Sequence, residues 1–321
     1  MKPHRGSRLG AVLRSPYLFM TLAMLCWSGN WLVGRAMHAE VTAIGLTFWR
    51  WTGALAVLLT FTGRPLWRAR RLILRKWRII TALSFLGVAL FNTLIYQALN
   101  TTTAINAALF NSTIPIIIVM ISWLLYRDRV TRRQLIGIAL SLLGVVALVG
   151  KGEAARLLSL SFTPGDLWAI AALPVWSLYT VLLKRRPAGL EPMVLLTAMA
   201  ALAVVMLAPF YGWELARGSR MAFTPATVLT VVYVALFASV IAFALWNSAV
   251  SQVGANRAGV FLHLHPVFTT VLAIVLLGEV LRPYHGVGIV LIFVGICLTT
   301  LGGAGAPVEQ DQPAPAAGEA E

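Results

Sequence analysis

The second half of this chain repeats the apolar pattern of the first half at a nearly constant offset. The matched pairs are Pro115 and Pro266, Asp128 and Glu279, Gly137 and Gly288, and Gly144 and Gly295, all 151 residues apart, and Trp27 and Trp176, which are 149 residues apart. Such an offset indicates an internal duplication. If each copy holds an odd number of membrane spans, the two copies lie in the bilayer in opposite orientations.

Each half contains five apolar segments that are long enough to cross the hydrocarbon core of a bilayer, which takes about 20 residues. The chain is 59% hydrophobic and 12% charged, with a mean hydropathy of +0.82, and this composition excludes an ordinary soluble domain. We therefore predict an all-α polytopic membrane protein with ten transmembrane helices in two inverted five-helix repeats. The predicted spans are 17–37, 43–62, 79–98, 104–126, 134–150, 165–184, 191–211, 225–248, 258–277 and 284–303.

The same segments define the predicted domains. A basic tail (1–16) precedes the first repeat (17–150), and the second repeat (151–303) is followed by an acidic tail rich in Pro, Ala and Gly (304–321). This last tail cannot bury an apolar core, so it is expected to be disordered. The first apolar segment is kept as a span because it is too long for a signal peptide and has no small-residue cleavage site after it. Turn residues such as Gly63-Arg64-Pro65 and Thr224-Pro225 separate the spans.

The distribution of Lys and Arg predicts the orientation in the membrane. Nineteen of the 26 lie on the flanks that ten spans place on one side, six lie on the other, and Arg50 lies within a span. Positive residues remain in the cytoplasm, so we predict that both termini are inside and that the protein resides in a bacterial-type inner membrane. The net charge of +15 does not indicate nucleic-acid binding, because the basic residues lie between apolar runs and not on a folded polar face.

Small residues recur at spacings of three, four or seven in the last span of each half. These are Gly137, Ser141 and Gly144 in span five and Gly288 and Gly295 in span ten. Such a stripe allows two helix backbones to approach closely. We predict that these two helices pack against each other at the periphery and do not line a site.

Short motifs around the fourth span of each half resemble a known family. The motifs are Ala104-Ile105-Asn106-Ala107-Ala108, Ile114-Pro115 and Tyr126-Arg127-Asp128-Arg129 in the first half, and Gly254-Ala255-Asn256-Arg257-Ala258, His265-Pro266-Val267 and Leu277-Gly278-Glu279 in the second half, followed by Gly286, Gly288 and Gly295. The pattern resembles the drug/metabolite transporter superfamily, EamA type, over residues 17 to 303. The resemblance implies a ten-helix carrier for small metabolites, with amino-acid exporters among its relatives.

Four predicted spans carry polar and aromatic side chains on one helical face. Polar side chains are costly in hydrocarbon and tend to face the bundle interior or a wet cavity. Because the repeat relates these faces, we predict that they line one central substrate cavity; for each aromatic side chain taken alone, interfacial placement or helix packing is the alternative. The residues are Trp27, Asn30 and Trp31 in span one, Asn92 and Tyr96 in span three, Trp176, Tyr179 and Thr180 in span six, and Phe243, Trp246 and Asn247 in span eight.

Asn111 and His263 each lie about one turn before a proline within a span. Proline frees a backbone carbonyl on the preceding turn, and a side chain or water must then satisfy it. Asn111 and His263 are therefore either substrate ligands or supports of the kinked backbone. In a regular helix the side chains of His263 and His265 would point about 200° apart, so they could not bind one metal ion together, and we predict no metal site.

Arg50 is the one cation that we place inside a span. A guanidinium suits planar pairing with a carboxylate, which makes Arg50 a candidate partner for an acidic group of the substrate. It lies only about seven residues into its span, roughly 10 Å by helical rise, so the alternative is a side chain that snorkels to the interface. We expect snorkelling.

Several functional classes fit the sequence poorly. All eleven acidic residues lie at span ends, in loops or in the tail, whereas a proton-driven exporter of lipophilic cations ordinarily needs a buried carboxylate. No Walker sequence is present, so neither ATP hydrolysis nor an ATPase subunit is implied. The two cysteines lie in apolar segments and suggest neither a disulfide nor a metal, and we expect no cofactor. An enzyme would need a clustered nucleophile and base, and a channel would need a continuous polar lining.

The sequence thus predicts a secondary carrier, not an enzyme, that exports small amphipathic metabolites by alternating access, as uniport or exchange. Amino acids, including aromatic and apolar ones, are the expected cargo. The alternatives are an uptake permease or exchanger for a nucleoside or sugar derivative, a proton-coupled drug exporter and, fitting the pattern less well, a channel or a membrane enzyme. The implied partners are a small-molecule substrate and the lipid bilayer; the pattern carries no information about oligomers.

The predicted topology can be tested with reporter fusions. Fusions after residue 70 and after residue 303 should report the cytoplasm, and a fusion after residue 157 should report the outside, because the loop between the repeats follows five spans. Paired alkaline phosphatase and fluorescent-protein fusions measure this. A cytoplasmic signal at residue 157 would contradict the inverted repeat.

Overall fold

The computed structural model describes residues 15–102, 104–153, 163–219, 221–277 and 282–300. Within these ranges the regular secondary structure is entirely helical, which confirms the prediction of an all-α protein. Nearly all of the predicted tail 1–16 and all of the tail 304–321 lie outside the described residues, as does Glu279.

The helices of the first repeat follow the predicted spans closely, with two interruptions. Helix α3 contains a π-helical turn at Ser84–Leu90, and α4 is broken between Asn111 and Ile114. The helices are α1, Pro16–Ala36; α2, Ala43–Arg75; α3, Trp77–Thr101; α4, Ala104–Asn111 and Ile114–Tyr126; and α5, Arg132–Val149.

The second repeat has the same order of elements and equivalent interruptions. Helix α8 contains a π-helical turn at Val234–Ile241, and α9 contains a 3₁₀ turn at Val260–His263. The helices are α6, Pro164–Leu182, with a 3₁₀ turn at Leu183–Arg185; α7, Pro192–Ala216; α8, Pro225–Val253; α9, Ala255–Gly259 and Leu264–Leu277, joined by its 3₁₀ turn; and α10, Pro283–Thr300.

Eight helices of the described residues are long and apolar enough to cross a membrane, which makes this a multi-pass membrane protein. They are α2 to α8 and α10, where α4 qualifies over Leu109–Tyr126. Helices α1 and α9 are not among these eight. Helix α1 carries the polar residues Ser28, Asn30 and Arg35 in its second half, and the regular part of α9 is only 14 residues long. The full count of ten spans and the orientation stay predictions.

The predicted break at Gly63-Arg64-Pro65 is wrong, because α2 runs through this tripeptide to Arg75. Proline inside a helix removes one amide donor and leaves the carbonyl four residues earlier unpaired. Here that carbonyl belongs to Phe61, which lies near the end of the predicted span, where water can solvate it. The following stretch, Leu66 to Arg75, consists mainly of Leu and Arg, which favour helix, so α2 extends beyond the apolar segment.

The two repeats interlock through symmetry-related pairs of helices. Helix α2 packs against α7 and α5 against α10, so each of these helices meets its own counterpart. Helix α1 packs against α8 and α9, and α6 packs against α3 and α4, which is the same relation with the repeats exchanged. Neither repeat therefore encloses a core alone, and the centre of the bundle lies between them.

The predicted packing of the last helix of each repeat is confirmed. A Cβ atom built on Gly144 would lie 2.6 Å from the backbone oxygen of Gly288, and one on Gly137 would lie 2.6 Å from that of Gly295. Real Cβ atoms do not approach a backbone that closely, so these positions require glycine. The two backbones touch along the stripe because no side chains separate them.

Replacing Gly144 by Leu should lower the melting temperature in detergent by several degrees, because overpacking a close contact costs about 1–3 kcal/mol or more. Gly286→Leu is the matched control: Gly286 also lies in the α5–α10 pair, but a Cβ there meets nothing within 4 Å. Thermal unfolding of both purified variants measures the difference. Equal melting temperatures would show that the glycine stripe is not needed for packing.

Candidate functional site

A small, largely enclosed cavity lies at the centre of the bundle, where helices of both repeats meet. Its volume is about 30 Å³, enough for one or two water molecules. Its wall consists of Met24, Trp27, Asn30, Trp31, Phe91, Asn92, Ile95, Tyr96, Asn111, Trp176, Phe243, Leu262 and His265.

The structure brings five of the predicted site residues to this wall: Trp27, Asn30, Tyr96, Asn111 and Trp176. Three more wall residues, Trp31, Asn92 and Phe243, come from the same predicted faces of α1, α3 and α8. The polar and aromatic faces therefore converge, although they lie far apart in the sequence. Contact of these residues with a substrate stays a prediction.

Tyr179 and Trp246, which were also predicted to bind substrate, lie behind the wall in this conformation. Both are fully buried. The Tyr179 hydroxyl donates a 2.6 Å hydrogen bond to Oδ1 of Asn247. The Trp246 ring centroid lies 5.6 Å from that of Trp27 and 5.8 Å from that of Trp176. These two side chains support the wall residues and do not themselves face the cavity.

His263 also lies behind the wall, and both of its ring nitrogens are hydrogen-bonded. Nδ1 lies 2.6 Å from Oγ of Ser141, and Nε2 lies 2.8 Å from the carbonyl oxygen of Ser112. A carbonyl only accepts, so Nε2 is the nitrogen that carries the proton. Ser112 lies in the break of α4, so His263 holds the interrupted backbone. Of the two predicted roles, backbone support is the one that this geometry favours.

The expectation that Arg50 snorkels to the interface is wrong. Its side chain is fully buried and donates hydrogen bonds to neutral acceptors on α3 and α8. Nη1 donates to Oδ1 of Asn92 at 2.9 Å and to the hydroxyl of Tyr96 at 2.7 Å. Nε donates to Oγ of Ser239 at 2.8 Å and Nη2 to the carbonyl of Ala238 at 3.1 Å. These bonds offset the desolvation of the guanidinium, which is why it can remain inside the bundle.

The π-helical turn of α8 provides acceptors that a regular helix would not offer. In a π turn the hydrogen-bond ladder shifts to residues five apart, and Oγ of Ser239 accordingly donates to the carbonyl of Val234 at 2.8 Å. The carbonyl of Ala238 accepts from Nε1 of Trp27 at 2.9 Å as well as from Arg50. The turn therefore connects a wall residue to the buried cation.

Aromatic rings form one side of the cavity. The rings of Trp27 and Trp176, which are equivalent in the repeat, meet edge to face with centroids 5.1 Å apart. Phe243 lies 5.5 Å from Trp27, and Phe91 lies 4.6 Å from Trp176. Edge-to-face and tilted contacts of this kind stabilise a rigid apolar surface.

Two polar atoms of the wall are fully shielded from solvent and have no hydrogen-bond partner. They are Nε1 of Trp176 and Nε2 of His265, in side chains that are 2% and 5% exposed. Buried polar atoms are normally paired, so an unpaired one beside a cavity marks a place where a ligand or water can bind. Among the described residues, no group of three or more His, Cys, Asp or Glu side chains could hold a metal ion.

The sequence interpretation missed His265 and Phe91 as wall residues. His265 was judged from a regular helix, but a 3₁₀ turn at Val260–His263 interrupts α9 and changes the direction of the side chains that follow. Pro266, which immediately follows His265, was the available signal of such an irregularity. Phe91 follows the π turn of α3, which the apolar pattern does not reveal.

Comparison with known proteins supports the fold and the class. One solved crystal structure superposes with a TM-score of 0.72 at 23% identity, covering 89% of this chain and 96% of the other, a likeness that concerns the fold alone. A relative named as an uncharacterized transporter of Archaeoglobus fulgidus is 28% identical over 288 residues, 88% of this chain and 96% of its own length. A second relative, named as the uncharacterized transporter YetK of Bacillus subtilis, is 31% identical over 70% of this chain and 68% of its own length.

A relative with a more specific name is a probable amino-acid metabolite efflux pump of Salmonella typhimurium, 26% identical over 55% of this chain and 60% of its own length. The model of the EamA-like transporter family matches this chain twice, over residues 14–150 and 163–301. These two matches confirm the resemblance in the motifs and cover both repeats. The chain belongs to the EamA-like transporter family.

Proposed function

We propose that this protein is a ten-span secondary carrier of the inner membrane that exports small amphipathic metabolites, amino acids foremost, by alternating access. The observation that carries the proposal is the cavity between the repeats, whose wall combines amide and hydroxyl groups with indole and phenyl rings. Such a wall suits a small molecule with one polar end and one apolar end. The name of the Salmonella relative supports amino-acid export as the first activity to test.

The size of the cavity supports a transport cycle with separate open and closed states. Binding sites for small ligands usually measure about 300–1,000 Å³. A cavity of about 30 Å³ is far smaller, so the bundle must open before a metabolite can enter. Because symmetry-related helix pairs enclose it, the same separation of the repeats at either end would expose it to either side.

Contacts at both ends of the bundle support a largely closed state. At the end that the predicted topology places outside, Thr102 of the first repeat donates to the carboxylate of Asp166 of the second repeat. At the other end, Nζ of Lys184 lies 3.0 Å from Oδ1 of Asp128. A transport cycle would break these contacts one end at a time.

Uniport or exchange is the form of transport that the wall supports. None of the described residues that line the cavity is acidic, so this wall offers no carboxylate that could alternate between a proton and a cationic substrate. A gradient of the metabolite itself, or exchange against a second metabolite, needs no such group.

The transport test uses the purified protein in proteoliposomes. Labelled phenylalanine loaded inside should leave along its gradient with saturable kinetics, and it should continue to leave after an uncoupler collapses the proton gradient. Empty liposomes are the control for leakage. A rate that rises linearly with concentration would indicate a channel, and accumulation driven by an imposed pH gradient would indicate proton coupling.

A second prediction concerns Tyr96, whose hydroxyl links Arg50 to Asn30 at the wall. Tyr96→Phe should lower flux about tenfold or more, because it removes one acceptor of the buried cation and one donor to Asn30. Tyr179→Phe is the matched control: it removes an equivalent tyrosine–asparagine bond, of about 1 kcal/mol, behind the wall. Flux and melting temperature are measured for both variants. If both variants retain the same flux, Tyr96 has no special role.

These conservative variants are preferable to truncations of the wall. Trp176 is only 2% exposed, and its ring packs against Trp27, Phe91 and Phe243. Trp176→Ala would leave a large void, which costs about 3–5 kcal/mol in a packed interior, so a loss of transport would not distinguish binding from folding.

A further inference from the structure

The polar framework of the cavity obeys the repeat symmetry. In the first repeat the hydroxyl of Tyr96 donates to Oδ1 of Asn30 at 2.7 Å, between α3 and α1. In the second repeat the hydroxyl of Tyr179 donates to Oδ1 of Asn247 at 2.6 Å, between α6 and α8. Asn30 is equivalent to Tyr179 at an offset of 149, and Tyr96 to Asn247 at 151. The same bond thus occurs twice, with its two residues exchanged between the helices.

The buried cation Arg50 has no charged equivalent in the second repeat. Arg50 donates to Asn92 and Tyr96 in the first repeat. At the offset of 151, the equivalent of Asn92 is Phe243, and the equivalents of Arg50 at offsets of 149 to 151 are Met199, Ala200 and Ala201. The first repeat therefore contributes a polar pole that is backed by a cation, whereas rings of both repeats, Trp27, Phe91, Trp176 and Phe243, form the aromatic pole.

The hydrogen bonds of Arg50 also determine what the polar pole offers to a ligand. Because Nη1 donates to Oδ1 of Asn92 and to the hydroxyl of Tyr96, each of these oxygens has one of its lone pairs engaged. Tyr96 in turn uses Oδ1 of Asn30 as its acceptor, and Nδ2 of Asn92 donates to the carbonyls of Gly87 and Val88. The free donors at this wall include the amide nitrogen of Asn30 and the unpaired Nε1 of Trp176, and the wall also carries the side-chain amide of Asn111 and the unpaired Nε2 of His265.

The charge of Arg50 is not balanced by an acidic side chain in the described part of the protein. All four of its acceptors are neutral, and no salt bridge to a described Asp or Glu side chain involves it. A guanidinium in a medium of low dielectric constant attracts an anion over several ångströms. Conversely, no acidic side chain among the described wall residues is available to an ammonium group.

We propose that the cavity selects a small aromatic carboxylate by its negative charge, and that the α-ammonium group of an amino acid is dispensable for binding. The carboxylate lies at the polar pole, near Asn30 and Tyr96, where Arg50 stabilises it from behind the wall. The phenyl group lies at the aromatic pole, between Trp176 and Phe243. This proposal rests on the proposed carrier function and narrows its substrate class to monocarboxylates, with or without an amino group.

The first experiment compares four probes on the intact wild-type protein in detergent, by calorimetry or tryptophan fluorescence. The probes share a phenyl group: 3-phenylpropionate, phenylalanine, phenethylamine and the neutral 3-phenylpropionamide. At about pH 7.5 the first three carry one negative charge, no net charge and one positive charge. We expect 3-phenylpropionate to bind at least as tightly as phenylalanine and about tenfold or more tighter than phenethylamine and the amide. Phenethylamine binding as tightly as 3-phenylpropionate would overturn the proposal.

The second experiment tests the role of Arg50 through a ratio that does not depend on how much protein is folded. In Arg50→Gln, the preference for 3-phenylpropionate over 3-phenylpropionamide should fall about tenfold, whereas a general loss of folding would weaken both probes equally. Trp176→Phe keeps an aromatic side chain, although a phenyl ring is smaller than an indole, and removes the unpaired N–H group, so it should reduce the same ratio. An unchanged ratio in both variants would overturn the assignment of the polar pole.

The outcomes separate this proposal from the carrier function. If phenylalanine flux is saturable but phenethylamine competes with it as well as 3-phenylpropionate does, the protein is a carrier and the charge selection is wrong. If none of the four probes binds and none moves in proteoliposomes, both the substrate class and the proposed amino-acid carrier are wrong.

Discussion

The burial of one cation organises the centre of this protein. Arg50 extends from α2 into the bundle, where acceptors on α3 and on the π turn of α8 surround it. An arginine in this position without acceptors would cost several kcal/mol in desolvation, so the helices that supply them must remain in place. Two of the acceptors, Asn92 and Tyr96, are also wall residues of the cavity. The hydrogen bonds that stabilise the buried cation therefore also hold these wall residues in position.

Irregular backbone in both repeats supplies hydrogen bonds that join the helices around this centre. Inside a membrane a free carbonyl needs a partner, and departures from α-helix are tolerated only where protein or a cavity supplies one. The π turn of α8 directs the carbonyl of Ala238 to Trp27 and Arg50, and the break of α4 presents the carbonyl of Ser112 to His263. Each irregular carbonyl thus binds a side chain from another helix. The same bonds that satisfy the backbone also join helices of different repeats.

Much of the fold was accessible from the sequence because membrane insertion depends on local composition. Ten apolar segments, their approximate ends and the glycine contact of α5 with α10 were all predicted, and Gly144 and Gly295 lie at that contact. The continuation of α2 beyond Pro65 was missed because the cost of a helical proline depends on whether water reaches the freed carbonyl. Part of the site was also accessible: helical spacing and the repeat selected Trp27, Asn30, Tyr96, Asn111 and Trp176, all of which reach the wall.

The sequence by itself determined the class of protein, the duplication and the faces of α1, α3, α6 and α8 that meet at the centre, since these follow from hydropathy, offset and helical periodicity. Tertiary structure alone decided which polar residues face the cavity and which lie behind it. In one dimension Arg50 looks like an interfacial cation and His263 fits either a ligand or a backbone support, yet each is enclosed by hydrogen-bond partners from other helices. A hydrogen bond between residues more than a hundred positions apart depends on how the helices pack, and a π or 3₁₀ turn changes the direction of every side chain that follows it.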